Sequence, residues 1–335
     1  MSRRTIFVSA ALLGLAVVLG SCGKKSTNPD DDGGGGGGGS TAKVVIVDSL
    51  PLPGLFVGTP VQVGSVLALS TDSLFIVNPA GGLAILHRGR GIFPAGSHNN
   101  MLFATAGTND VDATLCAYNV ALNGSLTLLG SFPLFPNYRF MSVHGNSGTY
   151  IYGFTASTFY TFDASNPASI SISETLRGFS MGRIDVGGSK LVVSAWDSVA
   201  VMDITNPAHP AITVLFPSAD EAVDAALHNS TLYVAERTAG VRVFQLPNVA
   251  TPVAAIPSTH DSTEYVACWS DTLVVGDGSL LLAYDVADPG HPKKIAQATM
   301  PGVISGMLPG SALFVVTTRF AEGTVRLLKV AITSD

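Results

Sequence analysis

One plan recurs along this chain: alternating apolar positions, an acidic or amide residue, then a turn that ends in proline. It is clearest at 160–167 (YTFDASNP), 200–207 (AVMDITNP) and 282–289 (LAYDVADP), with weaker copies at 75–79 (FIVNP), 116–120 (CAYNV), 241–247 (VRVFQLP) and 325–330 (VRLLKV). Anchoring the copies on Asn78, Asn119, Asp163, Asp203, Gln245, Asp285 and Lys329 gives spacings of 41, 44, 40, 42, 40 and 44 residues. A period in the forties restricts the fold to blades of four strands or to paired helices. The repeats are rich in Val, Thr, Tyr and Phe, are punctuated by Gly or Pro, and nowhere hold a 3.6-residue apolar period, so strands are expected.

Each anchor follows a short apolar strand: 66–70 (VLALS), 102–106 (LFATA), 150–154 (YIYGF), 191–195 (LVVSA), 232–236 (LYVAE), 273–277 (LVVGD) and 313–317 (LFVVT). One more strand precedes each of these, and a fourth follows the turn, as at 293–299 (KKIAQAT). The expected fold is therefore all-β, a seven-bladed propeller of four-stranded antiparallel blades. The last repeat supplies only three strands. Residues 43–54 provide the missing one, because 45–54 (VIVDSLPLPG) lines up with 293–302 (KKIAQATMPG), and the ring closes by pairing its beginning with its end. An open ring would leave two unpaired edges. The expected blades are 54–89, 90–133, 134–177, 178–217, 218–258, 259–299 and 300–335, the last completed by 43–50; VVIVD at 44–48 is accordingly not an eighth anchor.

Ahead of the repeats, Arg3 and Arg4 precede an apolar run from Ile6 to Leu19, long enough for a signal-peptide core and short of a bilayer span. It ends in Leu19-Gly20-Ser21-Cys22, which resembles the bacterial lipobox. Residues 1–21 are thus expected to be a cleaved lipoprotein signal and Cys22 the lipidated first residue of the mature chain, attached to a membrane without crossing it. Lys24 stands where an Asp would resemble an inner-membrane retention signal, which favours the outer membrane of a Gram-negative host. Residues 22–42, including KKSTNPDDDGGGGGGGS at 24–40, form a flexible linker to the domain at 43–335.

Hydrophobic residues make up 47% of the chain and charged ones 13%, which excludes disorder and a coiled coil for the body. The formal charge of −6 becomes −8 once Arg3 and Arg4 leave with the signal, so nucleic-acid binding lacks its electrostatic driving force. Apart from Cys22 only Cys116 and Cys268 are present; two thiols make no disulfide framework and are expected to be buried.

The units, with their apolar-x-apolar-x-Asp, Ser/Thr-Asn/Asp-Pro and second Pro (NPAHP at 206–210, DPGHP at 288–292), resemble LVIVD repeats of bacterial and archaeal cell-surface proteins over about residues 43–335. Gln245 and Lys329 at the Asp position, and the missing NP turn after Asn119, depart from the pattern. The related YVTN-type surface propeller is the next resemblance. Either implies a seven-bladed extracellular propeller and no particular chemistry.

The recurring Asp163, Asp203 and Asp285 are placed to cap the following turn. His209 and His291 fall in Pro-flanked turns of different blades, and His98, His144 and His228 near first turns of blades, so surface histidines are expected rather than a metal site. No Gly-x-Ser-x-Gly, Cys-x-x-Cys, His-Glu-x-x-His or phosphate loop is present, and no cofactor is expected. Phe154, Tyr160, Trp196 and Trp269 follow strand alternation and read as core, with Trp196 the exception because it adjoins Asp197 in a loop.

Loops joining second to third strands and blade to blade emerge on one face of a propeller. That face collects Asp110, Asp112, Asp197, Asp220, Glu221 and Asp277, together with the residues expected to centre a binding surface: Glu236, Arg237, His260, Asp261, Glu264, Arg319, Phe320 and Glu322. Phe320 is either an exposed anchor between Arg and Glu or folds back onto blade seven. The expected function is a monomeric, non-enzymatic binding or scaffolding module for an envelope protein or glycan. The alternative is an envelope hydrolase or lyase using carboxylates at the propeller mouth with His260.

Overall fold

A computed structural model describes residues 42–55, 59–98, 100–107, 114–134, 143–145, 150–154, 158–178, 183–260 and 262–334. The signal segment, Cys22 and the glycine-rich linker lie outside these residues, as do Asp110, Asp112 and Asp261. The first described strand, β1 (Ala42–Pro53), finds its partner at the far end of the chain. Blade one is β2 (Val61–Val63), β3 (Val66–Ser70), β4 (Ser73–Asn78) and β5 (Ala84–Arg90); blade two is β6 (Ile92–His98), β7 (Met101–Ala106), β8 (Thr114–Val120) and β9 (Leu126–Pro133). Blade three is β10 (Val143–Gly145), β11 (Tyr150–Phe154), β12 (Thr158–Asp163) and β13 (Ser171–Arg177); blade four is β14 (Arg183–Gly187), β15 (Lys190–Asp203) and β16 (Ala211–Ala222). Blade five is β17 (Asp224–His228), β18 (Thr231–Glu236), β19 (Gly240–Gln245) and β20 (Ala254–Ile256); blade six is β21 (Thr263–Trp269), β22 (Thr272–Asp277), β23 (Leu280–Asp285) and β24 (Lys293–Thr299). Blade seven is β25 (Val303–Leu308), β26 (Leu313–Arg319) and β27 (Thr324–Ser334), completed by β1.

Blade four reaches four strands by a sharp reversal inside β15 at Trp196–Asp197, where Trp196 has φ +46°. The base of this hairpin is closed by Ile204 N–H donating to Ser189 O at 2.8 Å, as Leu246 N–H does to Ser230 O (2.8 Å) and Val286 N–H to Asp271 O (2.9 Å) in the next two blades. β16 runs on to Ala222, past the boundary expected at 217, so Asp220 and Glu221 belong to the edge of blade four.

No blade owns a core. Among the described residues the buried side chains form seven clusters, and each lies between two neighbouring blades. Strand alternation makes this necessary: along β18, Leu232 and Val234 enter the cluster shared with blade four, while Tyr233 and Ala235 enter the one shared with blade six. Second strands are consequently buried on both faces, as in β3 and β18, and read as unbroken apolar runs. The seventh cluster joins Phe314, Val316, Val325 and Leu327 of blade seven to Leu67, Leu69, Phe75 and Val77 of blade one, and Leu52 of β1 belongs to it.

The turn after the third strand is built as its residues dictate. Asn78 Oδ1 accepts from Ala80 N–H (2.9 Å), Asp163 Oδ1 from Ser165 N–H (2.9 Å), Asp203 Oδ1 from Thr205 N–H (2.7 Å) and Asp285 Oδ1 from Ala287 N–H (3.0 Å). Asn166, Asn206 and Asp288 then repeat the bond to Ala168, Ala208 and Gly290. The Asp anchors are thus Asx caps. Lys329 is corrected as the seventh anchor. Leu313 pairs with Val330 as Leu273 pairs with Tyr284, so the position matching Asp285 is Ala331, two residues past Lys329, because the β26–β27 hairpin is longer than the β22–β23 hairpin of blade six. Lys329 instead donates from Nζ to Pro79 O at 3.1 Å, tying blade seven to blade one. Cys116 is buried and Cys268 half-buried, both free, and burial raises both thiols, Cys268 to about 12.

Candidate functional site

The second-to-third-strand turns and the interblade connections gather on one face, where carboxylates brace them. Asp277, at the end of β22, has no exposed surface and accepts from Ser258 Oγ (2.8 Å), Thr259 N–H (2.7 Å), Thr259 Oγ1 (2.6 Å), His260 N–H (3.1 Å) and Thr263 Oγ1 (3.3 Å). Burial pushes its carboxyl up, but these donors, Thr259 foremost, outweigh burial and hold it below the ordinary value. The connection into blade six, with His260, is therefore fixed in place; the His260 ring is half exposed and its Nδ1 lies 3.1 Å from Thr259 Oγ1.

Glu236 departs from expectation. It has no exposed surface, takes Arg242 Nε and Nη2 at 2.5 Å each, and accepts Ala219 N–H at 3.1 Å, so it braces the face from inside and presents nothing to a partner. Its neighbour Arg237 is at the surface, with Nη1 2.8 Å from Glu221 Oε2 and the guanidinium carbon 5.7 Å from the centre of the Trp196 ring. Trp196 is 42% exposed, in keeping with its exception from the core reading, whereas Tyr160 and Trp269 pack against interblade clusters. Glu264 is half-buried at a bulge of β21. In blade seven Arg319 Nη1 bonds both oxygens of Glu322 (3.0 and 3.2 Å) and Nε bonds Pro301 O, across a short 3₁₀ turn, Phe320–Glu322. Phe320, at its start, is 69% exposed and does not fold back.

On the opposite face His209 Nδ1 meets Glu174 Oε2 of blade three at 3.0 Å, His291 Nδ1 meets Asp288 Oδ2 at 2.9 Å, and His228 Nε2 meets Asp271 of blade six at 3.5 Å. His98 ends β6, and the His144 side chain is outside the described structure. Among the described residues no three His, Cys, Asp or Glu side chains are grouped to hold a metal ion.

A second polar group was not anticipated. The first strands of successive blades contact one another around the axis, and three of them place Arg183, Asp224 and Tyr265 in the same register, opposite Ser194, Ala235 and Gly276. Arg183 Nη1 lies 3.4 Å from Asp224 Oδ2, and its guanidinium carbon sits 4.0 Å from the centre of the Tyr265 ring. Asp224 also accepts Val266 N–H (3.1 Å), and Tyr265 donates its hydroxyl to Ser305 O (2.5 Å), so blades four to seven are laced together near the axis. Burial raises Asp224 to about 6 despite Arg183. Asp185, which accepts Leu227 N–H at 2.8 Å, is also raised by burial. The three residues stand 41 positions apart, one repeat each, and that equal phase is the signal that could have found them.

No protein-family model matches the chain, and no curated protein does. Solved structures do. A chain of the mitotic checkpoint complex aligns with a TM-score of 0.66 at 12% identity, covering 91% of this chain and 99% of that one. The WD40 β-propeller domain of Doa1 aligns with a TM-score of 0.66 at 10% identity over 85% and 96%. BamB from Moraxella catarrhalis aligns with a TM-score of 0.56 at 10% identity over 85% and 99%. The fold is a seven-bladed β-propeller. At these identities the likeness carries the architecture and nothing of the chemistry. The propeller's own braced face and laced axis are what bear on function.

Proposed function

We propose that this propeller is a non-enzymatic binding and scaffolding module of the cell envelope, held to a membrane by a lipid on Cys22 and engaging a protein or glycan partner through its loop face. The observation that carries the reading is Phe320, 69% exposed on a turn pinned by Arg319 to both Glu322 and Pro301. A large apolar ring held in water by a polar brace is an interface anchor with its rim already ordered, which lowers the entropic cost of docking. One fold neighbour, a chain of the mitotic checkpoint complex, was solved within a protein assembly.

Replacing Arg319, Phe320 and Glu322 together by Ala is expected to cut partner capture from envelope extracts at least tenfold, with an unchanged melting temperature. Ala at His209 and His291, on the opposite face, should leave capture intact. Loss only in the histidine pair would place the binding surface on the other side. For the anchor, Cys22→Ser should move the protein from the detergent phase to the aqueous phase, and unchanged partitioning would refute lipidation.

The hydrolase or lyase reading is favoured by one observation, the raised carboxyl of Asp224 near the axis. Against it, Asp224 is engaged by Arg183 and Val266 N–H, and the Tyr265 hydroxyl by Ser305 O, so the groups that would move protons are committed to holding blades together.

A further inference from the structure

Tight turns between strands need residues with positive φ, and this chain mostly supplies residues that tolerate it. The first-to-second-strand turns use Gly64, Asn100, Gly188, Asn229 and Ser270, and the second-to-third-strand turns of blades six and seven use Gly278 and Gly323. Blades four and five instead place Trp196 (φ +46°) and Arg237 (φ +30°) there. Bulky side chains in this region are disfavoured by their own backbone, and Gly would relieve both sites. The two exceptions are neighbours, with the Arg237 guanidinium over the Trp196 ring. Backbone held in a disfavoured state at adjacent turns, for the sake of two large side chains that remain 42% exposed (Trp196) and 40% exposed (the Arg237 side chain), points to a use for those side chains at the surface.

The surroundings select the guest. Trp196 pairs with Ala222 at the edge of β16, and its carbonyl accepts Ser218 Oγ at 2.8 Å, so residues 218–222 run beside the Trp196 backbone, and Glu221 reaches the Arg237 guanidinium that lies over the indole. That edge carries Asp220 and Glu221, and Asp197 follows Trp196 directly in the chain; Asp220 accepts Thr238 N–H at 3.0 Å, fixing the blade-five turn that bears Arg237. Thr238 holds the Asp220 carboxyl below the ordinary value, so it stays ionised. Two carboxylates of that edge, Asp220 and Glu221, stand against the one guanidinium of Arg237, which is paired with Glu221 at 2.8 Å. An indole beside net negative charge attracts cations, through its ring face and through the carboxylates together.

Resting on the binding-module reading above, we propose that the Trp196–Arg237 turn pair is a receptor for the cationic side chains of a basic peptide segment in a protein partner. Arg237 backs one side of the ring and, with its charge offset by Glu221, orients the indole. Asp220, held at the blade-five turn, supplies the acidic rim.

The test uses the domain carrying Trp269→Phe, which leaves Trp196 as the sole indole of the two in the sequence. Hexalysine and hexaarginine should quench or shift Trp196 emission saturably and lose affinity steeply as salt rises, while hexaglutamate and the neutral glycan chitohexaose leave it unmoved. By calorimetry, in the otherwise native domain, Trp196→Gly should weaken hexalysine at least tenfold while melting no lower than its parent, because glycine relieves the turn. Equal binding by Trp196→Gly, a lower melting temperature for it, or a response to chitohexaose but not hexalysine would each overturn the proposal. If Trp196→Gly captures the envelope partner normally while the Arg319, Phe320 and Glu322 triple variant does not, the module reading stands and this receptor falls. If both variants capture it normally, the module reading falls.

Discussion

Deleting residues 42–53 is expected to abolish the cooperative unfolding transition of the domain. β1 contributes eleven paired positions with β27, from Ala42↔Ser334 to Pro53↔Thr324, and among the described residues no other strand pairs at that edge. It also places Leu52 in the cluster between blades seven and one and sends Asp48 Oδ2 to Leu83 N–H at 2.5 Å, so its loss opens the ring at a single joint and exposes apolar surface on both sides. A domain of this size is stable by roughly 5–15 kcal/mol, and loss of a whole strand ladder with buried Leu52 and half-buried Val44 and Leu50 is of that order. The truncated protein should show a broad, low-temperature melt by circular dichroism and bind a hydrophobic dye. A truncated domain that melts with the sharpness and midpoint of the intact one would refute closure by β1 as a stabilising device.

Asp277→Ala is expected to be the most damaging single change on the loop face. It strands five donors around a site without solvent access, and buried unsatisfied partners of a charged acceptor cost about 1–3 kcal/mol each where they cannot relax. Some will turn to water once the 258–263 segment loosens, so a loss of about 3–4 kcal/mol is expected, with Asp277→Asn losing about half of that because one oxygen still accepts. The sign of the pH dependence follows from its depressed carboxyl. Unfolded, the group titrates near the ordinary 3.8; folded, it titrates lower. Its contribution is therefore fully present above the unfolded value and is lost as pH falls through the folded one. Urea titrations at neutral pH and at about pH 3 should show the gap between the native protein and Asp277→Asn narrowing with acidity, and a gap that widens would contradict the assignment.

The architecture was legible because the repeat exposes it three ways: the period, the paired apolar runs, and the Asx anchors whose bonds the structure displays at Asn78, Asp163, Asp203 and Asp285. Blade seven was misread by two residues at Lys329 because its β26–β27 hairpin is longer than the β22–β23 hairpin of blade six, and a constant spacing cannot reveal an insertion within one unit. The candidate site was less legible. Glu236 looked like a rim acid because it ends an apolar strand, but Arg242 lies across the hairpin and draws it inward, a contact that depends on register rather than composition. Phe320 and Arg237 were identifiable as loop residues. What could not be read was the conformation that distinguishes Trp196 and Arg237 from the glycines at like positions, since letters alone do not show which turn residue must adopt positive φ. Arg183, Asp224 and Tyr265 were hidden because a mixed charge and aromatic set spread over three repeats makes no local motif.

The placement of every core between blades has a consequence for how the molecule is made. A blade emerging from the ribosome has one apolar face bare until its successor arrives, and the first blade waits longest, since the neighbour that covers its other face, blade seven, lies some 245 residues downstream. Stability in this ring is thus postponed rather than accumulated. Chains with such distant pairings fold slowly and expose unpaired edges meanwhile. Between synthesis of Leu67 and arrival of Phe314 the apolar face of blade one stays uncovered, and a mutation that slows that last docking is expected to lower the yield of protein without altering the finished fold.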